Sequence, residues 1–230
     1  MPVIEFEAVR HAYPVSGAQR TVLEDVSLRI TEHRVGVIGA NGSGKSTFAR
    51  MINALVVPTA GAVRVDGLDT ATDARTIRRR VGFCFTDPDA QIVMPTVGED
   101  VAFGLRRRGL SKQEVAARVD MALEAYGLQG HRDHPAHLLS GGQKQLLALA
   151  AVLVTDPDVV VMDEPTTLLD LVNAHRVRQV VGELRQQVVL VTHHLDLVED
   201  FERVLVFHEA RLRFDGPPAE AVEAYRRLVL

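Results

Sequence analysis

The chain has 230 residues, 47% of them hydrophobic, a formal net charge of -4 and a sequence pI near 6.1. This is enough apolar content to bury a core within one domain spanning 1–230, and the charge lacks the basic footprint of a nucleic-acid binder. No apolar run approaches the roughly 20 residues of a membrane helix, and a single cysteine, Cys84, excludes an intrachain disulfide and suits a reducing compartment.

The N-terminal stretch MPVIEFEAVRHAYP alternates apolar and charged residues without a basic-then-apolar signal pattern, so secretion is not expected. Residues 3–9 and 26–30 alternate as half-buried strands, and 62–65 follows a Pro-Thr-Ala-Gly turn as another. Together they predict an antiparallel layer packed near the segment that begins at Val35. There the strand Val35-Gly-Val-Ile38 runs into Gly39-Ala40-Asn41-Gly42-Ser43-Gly44-Lys45-Ser46-Thr47, and residues 47–55 read as a helix. A basic helical end leads into a strand over 77–85, in which Cys84 reads as a buried strand thiol. The text is then helical from 96 to about 154. Within it, Ser111-Lys-Gln-Glu114 forms a capping box that opens an amphipathic helix through Ala125. Strand and helix alternate again over 159–162, 169–184, 188–191, 196–200 and 204–207, the pattern of a parallel sheet covered by helices. Residues 211–230 read as a strand, a Gly-Pro-Pro turn and a short helix.

Three motifs carry the chemistry. The first is the strand that enters G-x-x-x-x-G-K-S and leaves as a helix. Backbone N–H groups converge on a phosphate only where no Cβ blocks them and φ can be positive, which is what glycines at 39, 42 and 44 supply. Lys45 adds a point charge for the β and γ phosphates, Ser46 places a hydroxyl for Mg²⁺, and the positive helix end faces the same anion. The chain therefore reads as a binder of a nucleoside triphosphate. The second motif, Val159-Val-Val-Met162-Asp163-Glu164-Pro165, is an apolar strand that ends in carboxylates. Asp163 would reach the metal, and Glu164, diverging by the strand period, would address the attacking water. The third, Leu139-Ser140-Gly141-Gly142-Gln143, is a second cradle of hydroxyl and N–H groups at a helix start. One chain does not need two cradles for one ATP, so the second fits the nucleotide of a neighbouring chain.

The order of these motifs resembles the ATP-binding subunit of an ABC transporter, over nearly the whole chain. The resemblance implies an α/β fold with a P-loop NTPase (RecA-like) core, an antiparallel β subdomain and a helical subdomain inserted over about 87–155. ATP and Mg²⁺ are the implied cofactors. Tyr13 matches the family's adenine-stacking aromatic, His193 its switch histidine on the γ phosphate, and Asp170 its interface-crossing aspartate, although Leu168 stands where a small residue is usual. Thr86 occupies the position of a glutamine that touches Mg²⁺, and a shorter hydroxyl there would need a bridging water. Asp87-Pro88-Asp89-Ala90-Gln91 and the following Pro95 to Gly104 are similar to energy-coupling-factor importers, and Gln91 belongs to that pattern independently of the missing glutamine.

By that resemblance the partners are a second ATPase subunit, an integral membrane scaffold subunit and a substrate-binding membrane subunit, with no nucleic acid. The implied place is the cytoplasmic face of the inner membrane, held peripherally, and the implied cargo is biotin first, with cobalt or nickel next. A soluble ATPase of translation would carry tandem cassettes, and a repair ATPase a long coiled-coil insertion; the sequence shows neither. His131, His134 and His137 lie at helical spacing, but Pro135 interrupts them and they read as a surface loop. The runs Arg78-Arg-Arg80 and Arg106-Arg-Arg108 read as solvated helix faces, with lipid headgroups as the alternative.

Overall fold

The computed structural model describes residues 1–15, 17–106, 108–167 and 169–230, so the expectations at Arg107 and Leu168 lie outside the described residues. In chain order the elements are β1 (Ile4–Val15), β2 (Ala18–Ile30), β3 (Arg34–Gly39), α1 (Lys45–Ile52), β4 (Ala60–Val65), β5 (Leu68–Asp69), α2 (Ala74–Arg80) and β6 (Val81–Cys84). They continue with α3 (Val97–Phe103), α4 (Lys112–Ala125), α5 (Gly141–Leu153), β7 (Val159–Asp163), α6 (Leu171–Glu183), β8 (Gln187–Val191), β9 (Arg203–His208), β10 (Arg211–Gly216) and α7 (Pro218–Val229). Two compact units emerge: Met1–Phe83 with Asp158–Glu164 and Leu184–Leu230, and Cys84–Pro157 with Pro165–Glu183.

The first unit holds an antiparallel sheet ordered β2-β1-β4-β5, as the alternating N-terminal segments predicted. The strands run further than alternation alone suggested, because register shifts between Phe6 and Ala12 break the period of two while leaving the ladder intact. Ala8 takes a φ of 46° within that irregularity. A six-stranded sheet is ordered β10-β9-β3-β8-β7-β6, with β9, β3, β8 and β7 mutually parallel and β10 antiparallel at the edge. Strands buried on both faces read as unbroken apolar runs, and Val159 to Met162, Val188 to Val191 and Val204 to Phe207 are each at most 2% exposed. Phe48 of α1 stacks on Phe6 at 4.4 Å and tilts against Phe207 at 5.0 Å, joining α1 to both sheets. Full burial of such a ring contributes roughly 1.5–3 kcal/mol.

Two local expectations change. The helix predicted over 47–55 stops at Ile52, since Ala54 turns to a φ of 56° and the Asn53 side chain donates to the Val81 carbonyl. The segment 196–200 forms only a 3₁₀ turn, Leu195–Val198, too short to repay helix nucleation. The run at 78–80 is not a merely solvated face either. Arg80 pairs with Asp66 at 2.5 Å and Asp158 at 2.6 Å, and Arg78 donates to the Ala54 carbonyl at 2.7 Å.

The second unit is helical. The predicted capping box at Ser111 and Glu114 opens α4, and two further boxes pair Thr96 with Glu99 at α3 and Ser140 with Gln143 at α5. Leu146 to Ala150 of α5 are all at most 4% exposed, because α3, α4 and α6 pack around that helix. Cys84 is buried with its thiol pushed up to about 12 by desolvation, which makes it inert. Among the described residues no helix is long and apolar enough to cross a membrane, and no cluster of histidine, cysteine or carboxylates could hold a metal ion.

Candidate functional site

The phosphate loop is held by the strands around it. A Cβ on Gly39 would run into the Phe207 carbonyl of β9, so the close β3–β9 pairing demands glycine there. Gly44, at a φ of 106°, caps α1 and lies where a Cβ would meet the Val22 carbonyl of β2. Lys45 is 5% exposed and its ammonium donates to the Gly39 carbonyl at 2.8 Å and the Ala40 carbonyl at 3.0 Å. Burial lowers its pKa, and the carboxylates of Glu164 and Asp163 pull the other way. Ser43 Oγ is buried and has no hydrogen-bond partner among the described residues.

The carboxylates meet this loop in the same unit. Asp163, at the end of β7 and 1% exposed, accepts from Ser46 Oγ at 2.8 Å and lies 3.5 Å from the Arg50 guanidinium. Burial raises its pKa, against the Ser46 hydrogen bond and the Arg50 charge. Arg50 escaped the sequence reading although its place one helical turn beyond Ser46 was a usable signal. Glu164 diverges from Asp163 for a reason other than the expected strand period: β7 has ended, and Glu164 sits at a φ of 55°. Its N–H donates to the Val191 carbonyl at 2.9 Å, and its carboxylate accepts from His193 Nδ1 at 2.7 Å and from the His193 backbone at 3.3 Å. Thus Lys45, Ser46, Asp163, Glu164 and His193, distant in sequence, form one constellation.

A cleft of about 320 Å³ opens over the loop, lined by Asn41, Gly42, Lys45, Ser46, Thr47 and Glu164, with Val22 and Arg20 on the β2 side. Tyr13 pairs across the hairpin with Arg20, stays 37% exposed and takes the His11 ring edge-on at 4.6 Å. Arg20 carried no motif and was missed.

In the second unit Ser140 caps α5. Its Oγ accepts from the Gln143 N–H at 3.3 Å, and the Gln143 side-chain oxygen accepts from the Ser140 N–H at 2.9 Å. Gly141 is exposed and Gly142 buried, where a Cβ would collide with the Asn173 side chain. Asn173 is tied in turn to Asp170, whose carboxylate accepts from the Asn173 N–H at 2.8 Å and its amide at 2.9 Å. Asp170 is therefore first of all the cap of α6, and Asn173 a residue the sequence reading passed over. Thr86 lies half-buried beyond β6, ahead of a 3₁₀ turn, Pro88–Ala90, capped by Asp87. Gln91 is committed elsewhere: it accepts from the Phe85 N–H at 3.1 Å and donates to the Ala148 carbonyl at 3.0 Å. His131, set aside as loop, places its ring 3.2 Å from the Gln143 amide.

A buried lysine in a glycine-rich turn at a helix start, with a paired serine and aspartate and a second carboxylate beyond, defines a P-loop ATPase. Residues 23–167 match the family described as ABC transporter, and the chain belongs to that family. It is 49% identical to the biotin transport ATP-binding protein BioM of Rhizobium etli, over 98% of both chains. It is 45% identical to the energy-coupling factor transporter ATP-binding protein EcfA1 of Symbiobacterium thermophilum, over 95% of this chain and 80% of that protein. Among solved structures, cbiO1 of Clostridium perfringens, part of the ABC transporter complex cbiONQ, superimposes with a TM-score of 0.82 at 30% identity, covering 96% of this chain and 90% of its own. The expected fold class is thus the observed one. The chain is an ATP-binding ABC ATPase that groups with energy-coupling-factor and biotin-transport subunits.

Proposed function

We propose that this chain is the ATP-hydrolysing subunit of an energy-coupling-factor importer, peripheral on the cytoplasmic face of the membrane, and that the complex takes up biotin. The observation that carries the ATPase reading is the joining of Ser46 to Asp163 beside Lys45, with Glu164 and His193 next to them. Biotin rests on the likeness to BioM. Two copies, or this chain and a paralogue, clamp ATP between the loop 39–47 of one and Ser140 to Gln143 of the other. A membrane scaffold and a membrane substrate-binding subunit complete the complex.

In the site so read, Tyr13 stacks on the adenine, the N–H groups of 39–47 and Lys45 hold the phosphates, and Glu164 accepts a proton from the water that attacks Pγ. The bond to ADP breaks as the new P–O bond forms. His193, already donating to Glu164, keeps that carboxylate turned toward the loop and reaches for the γ phosphate. Ser46 and Asp163 fit a hard cation, because a buried carboxylate beside one hydroxyl lacks the solvation that a charge requires. Bound Mg²⁺ would neutralise charge on the β and γ phosphates. Thr86 acts on that cation through a water, and Asp170 crosses to the second subunit. The test is purification of the chain with its membrane subunits, followed by ATP-dependent uptake into vesicles. Accumulation of biotin supports the reading. Accumulation of cobalt or nickel instead overturns the cargo, and a chain that purifies without membrane subunits overturns the importer.

A further inference from the structure

We infer that His131 holds the serine of the Ser140–Gln143 loop in place through Gln143, and that it does so only as a neutral imidazole. The inference rests on the proposed use of that loop by a nucleotide. A backbone N–H can only donate, so the Ser140 N–H at 2.9 Å fixes the Gln143 side-chain oxygen on its own side. The Gln143 amide nitrogen must then face the other way, and it meets His131 Nε2 at 3.2 Å. That nitrogen donates, so Nε2 must accept, which an imidazole nitrogen does only without a proton. The ring proton is left on Nδ1. Nδ1 is closed off from solvent and has no partner among the described residues, so nothing there would solvate an imidazolium.

The surroundings agree. The His134 ring stands edge-on to His131 at 5.6 Å, on the same turn. From α4, Asp120 pairs with Arg132, the next residue along. At the start of α3 the N–H groups of Val97 and Gly98 take the His134 and Arg132 carbonyls. On α5, Lys144 pairs with Asp89 at 2.7 Å. Among the described residues no carboxylate pairs with the His131 ring. Protonation would set two donors against each other, and Gln143 would have to release the Ser140 N–H. The Ser140 hydroxyl, which now accepts from the Gln143 N–H and so keeps its proton for an anion, would lose its fixed direction. His131 is thus a positioning residue.

The experiment uses the full chain. Nitrogen-15 spectra near neutral pH should show His131 with the proton on Nδ1; an Nε2–H tautomer or an imidazolium overturns the inference. His131→Phe should lower ATP turnover roughly tenfold, the scale of one lost hydrogen bond, with ATP affinity of the single chain unchanged. His131→Gln, which places an amide oxygen near the Nε2 position, should restore most of that turnover. Wild-type turnover in His131→Phe, or turnover in His131→Gln as low as in His131→Phe, overturns the inference; should His131→Phe not fold, His131→Gln and the spectra decide. An assembled complex containing the wild-type chain but no ATPase would sink the functional reading while leaving the tautomer result to judge this one.

Discussion

The phosphate loop and the proposed second cradle at Ser140 are built on opposite principles. The phosphate loop sits at the end of a buried parallel strand, and its chemistry depends on charges that burial penalises: Lys45 at 5% exposure and Asp163 at 1%. The Ser140 loop carries no charge of its own and lies at the surface, held by side-chain hydrogen bonds among Ser140, Gln143 and His131 and by the packing of Asn173 on Gly142. One cradle is preorganised by the sheet at a cost in stability. The other is preorganised by local caps at little cost, and it can shift without disturbing a core. That would suit the proposed role of a loop that meets and leaves a second subunit.

If the first cradle is the chemical one, the largest effect should come from Glu164. Glu164→Gln should leave ATP binding intact and slow hydrolysis by about 10²–10⁴, the range for a lost general base. The amide can still accept from His193 Nδ1, so the fold around it should persist. Stopped-flow binding and steady-state turnover check this, and an unchanged rate removes Glu164 from catalysis.

The second cradle is broken by bulk rather than by charge. Ser140→Arg should cut turnover by at least about 10² while the chain's own affinity for ATP stays as it was, since loss of loop geometry misplaces reacting groups. Mixing the variant with wild type should show that one intact Ser140 loop serves the partner's nucleotide. Full activity in the homogeneous variant would contradict the shared site.

Thr86 tests the proposed water-bridged contact to the cation. Thr86→Val should lower ATPase and uptake tenfold to a hundredfold, as expected when a buried polar partner loses its hydrogen bond at about 1–3 kcal/mol. Thr86→Ser should keep most of both. Gln91 cannot stand in, because both ends of its amide are engaged by Phe85 and Ala148. Wild-type behaviour in Thr86→Val would end the water-bridged role.

These contrasts also explain what could be read from the chain beforehand. The loop 39–47, Asp163 and Glu164 were legible because a phosphate cradle needs fixed residue types at fixed spacing. The capping box at Ser111 was legible for the same reason. The full reach of β1 was not, since the register shifts between Phe6 and Ala12 hide the period of two. Asn173 and Arg20 went unread, and His131 read only as surface loop, because Gly142, the cleft over the phosphate loop and Gln143 are brought to them from elsewhere in the chain. Gly142 reads as a phosphate glycine in sequence, whereas the structure adds a second reason for it: Asn173 occupies the space of its Cβ.

The smallest effect concerns stability and sharpens the contrast most directly. Burial lifts the Asp163 carboxyl above its ordinary value, so the folded chain holds that proton more tightly than the unfolded chain does. The stability this group contributes is therefore present below the ordinary aspartate range and is lost as pH rises through the lifted value. At neutral pH, without nucleotide or divalent cation, the ionised Asp163 is a net burden that Ser46 and Arg50 offset only in part. Asp163→Asn should then raise Tm by about 2–4 °C at pH 7, the shift that roughly 1 kcal/mol gives in a chain of this size, and the gain should shrink as the pH is lowered. No comparable gain is expected at Ser140, where nothing charged is buried. A lower Tm for Asp163→Asn at pH 7 would mean that the Ser46 hydrogen bond and the Arg50 charge outweigh desolvation, and the two cradles would then differ in exposure but not in what they cost the fold.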